Sequence, residues 1–206
     1  MTAPKYPIKT VADNIEKGLS YKENFKRYNK AKASEFYLEC LWILYAMLED
    51  RTSAFLYYLG FTSDKKRSSA AGSKKIKQQV RQILQMTENN AKYKFDTISG
   101  KLSRITDVIT WSKNVDGEIS DYQIAVKKAV KFISDNEDFI SSLTYLNDEW
   151  RDKRNQLTHS LFNKDPDTVI DELKSLIEKG YIAVRVFDNA VAQLKKEKIR
   201  NRFKIQ

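Results

Sequence analysis

Three prolines and six glycines in 206 residues limit the folds open to this chain more than any other feature. Pro4 and Pro7 fall in the first seven residues, and the third proline is Pro166. Between them the chain meets few helix breakers, the residues that cost a helix interior about 1 kcal/mol (Gly) or 3 kcal/mol (Pro) relative to Ala. Over the same span apolar residues recur at three- and four-residue spacing, and no stretch of useful length alternates with period two. The pattern predicts an all-α fold, a helical bundle with long antiparallel helices. No internal repeat is visible, and the length suits one compact domain better than two.

A short first helix is predicted after Pro7, through Ile8, Val11 and Ile15. Ser34 is placed as an N-cap with Glu35 just inside the next helix. Phe36 to Leu59 is strongly apolar and reads as a long central helix stopped by Gly60. Inside it Glu49-Asp50-Arg51 is a charged interruption, either an exposed stripe or an internal pairing. The Ser-, Lys- and Gly-rich residues 61–73 read as a loop, followed by helices over roughly 74–90 and 97–113. After a turn at 114–117, Ser120 or Asp121 caps a helix through Ile133, and another runs from about 137 to 162. Residues 163–166 break it, Asp167 caps the last helix, and that helix can continue past Gly180 to Leu194. The aromatic run Phe55 to Tyr58 suits a core or an interface equally.

With 41% hydrophobic and 31% charged residues, the balance is that of a soluble globular protein. The single cysteine, Cys40, excludes an intrachain disulfide and reads as a small buried hydrophobe. No Cys/His cluster suits zinc, so neither a metal nor another cofactor is expected. The N-terminus lacks an apolar signal-peptide core, and no apolar run reaches about 18 residues, so a cytoplasmic, non-membrane protein is expected.

The net charge of +10 is unevenly spread. From Gly60 to Arg104 there are 11 Lys/Arg and 3 Asp/Glu, and from Lys195 to Gln206 there are 6 Lys/Arg and 1 Glu, while the remainder is nearly neutral. Basic charge gathered this way is the footprint of a polyanion partner, or of a solvated loop and tail. Lys65, Lys66, Arg67, Lys74, Lys75, Lys77 and Arg81 are the candidate nucleic-acid contacts in a basic insertion spanning about 61–104, and 195–206 is a basic C-terminal tail.

His159 is the only histidine, and its side chain is the one whose ordinary pKa allows proton exchange near neutral pH. Five residues earlier stands Arg154, followed by Asn155. An RNA strand carries its own nucleophile, the 2′-OH. Cleavage then needs a base for that hydroxyl, a cation for the charged phosphorane and a proton for the leaving oxygen. His159 suits the first or third role. Arg154 suits the second, because its guanidinium stays charged and binds phosphate bidentately. Asn155 can orient either or hold the sugar. On an ideal helix positions five apart differ by about 140°, so a shared cleft needs the reach of the Arg side chain or a loosened last turn. The alternatives remain open: a lone His near a helix end serves as a cap or a surface residue, and Arg154 can pair with Glu149 or Asp50.

Arg154-Asn155-x-x-x-His159 resembles the signature of the HEPN superfamily, in which four to six residues separate Arg from His and Asn commonly follows the Arg. Here the spacing is four, and the motif ends the penultimate predicted helix; in that family it sits toward the end of a late helix in a bundle of four or five. The likeness in helix order spans roughly residues 34–194. It implies a stand-alone HEPN-like domain with a metal-independent endoribonuclease site, formed where two motifs face each other across a homodimer, as in phage-defence or toxin systems. It also implies an acidic or polar residue on an earlier helix beside the Arg, for which Asp50 and Glu49 are the candidates. One departure is Leu161, where some HEPN toxins carry a Tyr modified by a partner enzyme; no such partner is expected. A non-catalytic HEPN-like module binding nucleic acid or protein, and a plain helical interaction protein, remain the competing readings.

Overall fold

The computed structural model describes residues 14–63, 71–85, 95–160, 163 and 165–205. Among these residues there is no strand, and the chain is an all-α bundle. The helices are α1 (Asn14–Ala33), α2 (Tyr37–Tyr58), α3 (Lys74–Ile83), α4 (Ile98–Asn114), α5 (Asp121–Ser134), α6 (Glu137–Tyr145), α7 (Arg151–Ser160), α8 (Pro166–Lys196) and α9 (Ile199–Arg202). A π turn, Leu146–Trp150, joins α6 to α7 without a break in the helical rod.

Local signals set most of the boundaries. Ser120 and Gln123 form a reciprocal capping box at the start of α5, and Asn136 caps α6 through the Phe139 amide. Gly60 sits at φ +82° past the end of α2, a conformation that favours glycine. Other expectations need correcting. Ser34 caps nothing; it lies in the turn after α1, and Phe36 is the N-cap residue of α2 without a side-chain bond. Asp165, rather than Asp167, caps α8 by accepting from the Thr168 amide, with Pro166 just inside where a missing N–H costs nothing. The predicted helix around Ile8 and Val11 lies outside the described residues. Its last apolar position, Ile15, falls in α1, whose 20-residue length was not foreseen because the sequence is polar almost throughout.

Side-chain contacts give the helix directions. Tyr21 donates to the Met47 carbonyl, and the Cys40 thiol to the Tyr28 carbonyl, so α1 and α2 run antiparallel. Phe55 stacks near Phe139, and Tyr45 near Trp150, so α2 and the α6–α7 rod are also antiparallel. Consequently α2 and α8 run side by side in the same direction, with Arg51 bonded to Asp188 near one end and Lys174 over Tyr37 near the other. Buried residues from α1 through α9 join in one apolar cluster.

The axis of this packing is a close approach. Trp150 is 1% exposed, and its indole N–H donates to the Leu176 carbonyl within α8 at 3.2 Å. A Cβ at Gly180, one turn further along α8, would lie 2.9 Å from that indole nitrogen. Glycine there lets the π turn and α8 meet while the Trp N–H is satisfied.

The C-terminal segment is not a loose basic tail. Arg200 is buried, donates to the carbonyls of Thr62 (2.7 Å) and Tyr57 (3.3 Å), and lies 3.8 Å from the centre of the Tyr57 ring. Ile199 and Ile205 are buried, and Phe203 meets Tyr122 edge to face. Among the described residues no helix is long and apolar enough to cross a membrane.

Candidate functional site

The N-terminal half of α2 carries Leu38, Leu41, Trp42 and Tyr45 at the i, i+3, i+4, i+7 spacing that puts four side chains on one face. Opposite this face lies α7. Together these four residues, Arg154, Asn155 and His159 line a cleft of about 240 Å³. The structure thus brings all three motif residues to one opening.

The five-residue separation of Arg154 and His159 is bridged by side-chain reach, since α7 is a regular α-helix across the motif. The Arg154 guanidinium lies 4.2 Å from the centre of the Tyr45 ring and 6.0 Å from Trp150. Tyr45 and Trp150 are themselves stacked, their planes 9° apart. The Asn155 carboxamide oxygen accepts from Arg154 Nη2 (2.6 Å) and Nε (3.2 Å), which fixes the plane of the guanidinium. Arg154 is half-buried, whereas Asn155 and His159 are exposed. Directly upstream, Leu146 and Trp150 of the π turn are both buried, and Arg154, four residues on, lines the cleft with α2.

The acidic candidates are engaged elsewhere. Asp50 accepts from Arg51 (2.6 Å) and from the Tyr21 hydroxyl (3.2 Å), and Arg51 also reaches Asp188 at 2.8 Å. This cluster ties α1, α2 and α8 together, and burial pushes the Tyr21 hydroxyl pKa well up. Glu49 pairs with the buried Lys101 of α4 at 3.3 Å. These bonds link α2 to α1, α8 and α4. The Glu149 alternative is also filled otherwise, by Lys153 at 2.6 Å.

Lys74, Lys75, Lys77 and Arg81 form the exposed side of α3, whose other face buries Ile76, Val80 and Ile83. They do not line the cleft, since α3 packs on α4 and α5. Lys65, Lys66 and Arg67 lie outside the described residues. Among the described residues no three His, Cys, Asp or Glu side chains gather as a metal site would require. Cys40 is fully buried, and burial raises its thiol pKa.

The aromatic half of the cleft was not foreseen. Trp42 and Tyr45 read in sequence as part of one long apolar run, and the signal that separates them is their shared α2 face with Leu38 and Leu41. Compared by sequence and by fold, the chain matches no family model, no curated protein and no solved structure.

Proposed function

We propose that the protein is a metal-independent endoribonuclease of the HEPN type, cleaving RNA by attack of the 2′-OH on the adjacent phosphate. The observation that carries this reading is the convergence of Arg154, Asn155 and His159 on one cleft. Arg154, held flat by Asn155 and Tyr45, receives two non-bridging phosphate oxygens and stabilises the extra charge of the phosphorane. His159 takes the 2′-OH proton or delivers one to the leaving 5′-oxygen. The 2′-oxygen–phosphorus bond forms as the phosphorus–5′-oxygen bond breaks, giving a 2′,3′-cyclic phosphate and a 5′-hydroxyl.

A single His does not serve as base and acid in the same step, so the reading includes a homodimer in which a second copy supplies the other His. An apolar groove of about 370 Å³ beside the cleft supports this. It is lined by Phe36, Leu38, Val169 and Ile170 among others, and Phe36 is 62% exposed. Apolar surface of this kind commonly marks contact with another protein. Leu38 lines both openings, so a copy seated on the groove borders the cleft. The resemblance places such an enzyme in phage defence or a toxin system, and that setting belongs to the proposal.

Incubating single-stranded RNA with wild type, Arg154→Ala and His159→Ala in EDTA tests the reading. Cleavage by wild type and its loss in both variants support it. Salt-sensitive RNA binding without cleavage would instead favour a non-catalytic binding module.

A further inference from the structure

Trp42 stands at the mouth of the cleft with 65% of its surface exposed. Its ring meets Tyr45 at 83°, centroids 6.3 Å apart. A T-shaped contact covers little of an indole, and at 65% exposure most of the Trp42 surface remains in solvent. Tyr45 also carries the Arg154 guanidinium. A flat aromatic surface and a phosphate-binding cation therefore flank the same tyrosine. A nucleotide has the matching form, a flat π surface joined through a sugar to an anion. Bases in a duplex have both faces occupied by their neighbours, and only an unpaired base can offer one to a side chain.

Resting on the nuclease reading above, we propose that Trp42 is the platform on which the base next to the scissile phosphate stacks, so that the substrate is unpaired RNA. Every base has a π face, so this contact selects for strandedness more than for sequence. Trp42 acts here as a binding and positioning residue, with no part in proton transfer.

The test uses the full chain as wild type, Trp42→Ala and Trp42→Phe. The probe is a labelled 2′-O-methylated oligonucleotide, which lacks the nucleophile, either single-stranded or annealed to its complement. Trp111 and Trp150 are 6% and 1% exposed, so quenching of intrinsic fluorescence reports chiefly on Trp42. The single strand is expected to quench wild type, and the duplex is not. By anisotropy, Trp42→Ala should bind the single strand about 5- to 100-fold more weakly, and Trp42→Phe should recover most of that loss. In cleavage of unmodified RNA the alanine variant should raise KM while leaving kcat within about twofold. If wild type cleaves and Trp42→Ala binds and cleaves equally well, the Trp42 proposal falls and the nuclease reading stands. If wild type neither binds nor cleaves, both fall. If Trp42→Ala changes the oligomeric state, the residue belongs to an interface between copies and the proposal is overturned.

Discussion

The guanidinium of Arg154 lies over the ring of Tyr45, 4.2 Å from its centre, with the Asn155 side chain holding its edge. The cation that would meet the phosphate is thus placed by an aromatic residue more than a hundred positions earlier in the chain, on α2. An aromatic face steadies the guanidinium through the ring rather than through its N–H groups.

Tyr45 should therefore matter to cleavage without touching the reacting atoms. Tyr45→Ala is expected to lower kcat/KM about 2- to 30-fold, in line with a cation–π contact of roughly 0.5–2 kcal/mol, and Tyr45→Phe should stay near wild type. Arg154→Lys should fall close to Arg154→Ala, since an ammonium has neither the stacking plane nor the paired donors. Steady-state kinetics on an RNA strand measures all of these; a Tyr45→Ala variant as active as wild type would contradict a role for the ring.

Gly180→Ala places a methyl group 2.9 Å from the Trp150 indole nitrogen and 3.4 Å from a Leu44 methyl. Trp150 is fully buried and anchored to Leu176, so it has little room to yield. Overpacking of this kind costs about 1–3 kcal/mol, against a gain of about 1 kcal/mol in helix propensity. A net loss is expected, seen as a melting temperature lower by a few degrees. A variant melting at or above wild type would show that the π turn and α8 can part there without cost.

Arg200→Ala should destabilise the fold by about 2–3 kcal/mol, because it leaves the Thr62 and Tyr57 carbonyls without a charged donor. Lys198→Ala and Lys204→Ala, on exposed neighbours, should each stay within about 0.5 kcal/mol. Urea unfolding distinguishes the two classes, and equal midpoints for all three would contradict the docked chain end.

Stability should fall on the alkaline side. Burial raises the Cys40 thiol above its ordinary 9.0, with the nearby Glu39 charge adding to it, and burial raises Tyr28 from 10.0 to about 12, with Cys40 adding to it. The unfolded chain releases these protons at the ordinary values while the folded chain still holds them. Their contribution is therefore complete below about pH 9 and is lost as the pH rises toward 12. The slope is at most about 1.4 kcal/mol per pH unit for each group between its two values. Urea midpoints at pH 8, 9.5 and 10.5 should decline in order, and a flat series would contradict the buried state of this pair.

Periodicity carried the helical class, because apolar spacing and scarce breakers act locally along each rod. The motif residues were legible as well, since His159 is unique in the chain and Arg154 and Asn155 lie within five residues of it. What surrounds them was not. That Asp50 meets Tyr21, and Arg51 meets Asp188, depends on which faces of α1, α2 and α8 come together, and nothing near residues 50 and 51 in sequence reports that. Arg200 looked like one more basic residue of a tail, yet its surroundings come from residues 57 and 62. Trp42 was hidden in an apolar run whose other members are mostly core, and only packing shows which of them remain in solvent.

The most direct measurement is RNA cleavage in excess EDTA by wild type beside Arg154→Ala and His159→Ala, with products resolved by their ends. Wild type should yield 2′,3′-cyclic phosphate and 5′-hydroxyl termini, and each variant should lose at least about 100-fold in rate, the scale of a single general acid–base or charge-stabilising group. A wild-type protein that leaves RNA intact, or variants that cleave as fast as wild type, would contradict the assignment of Arg154 and His159 to catalysis.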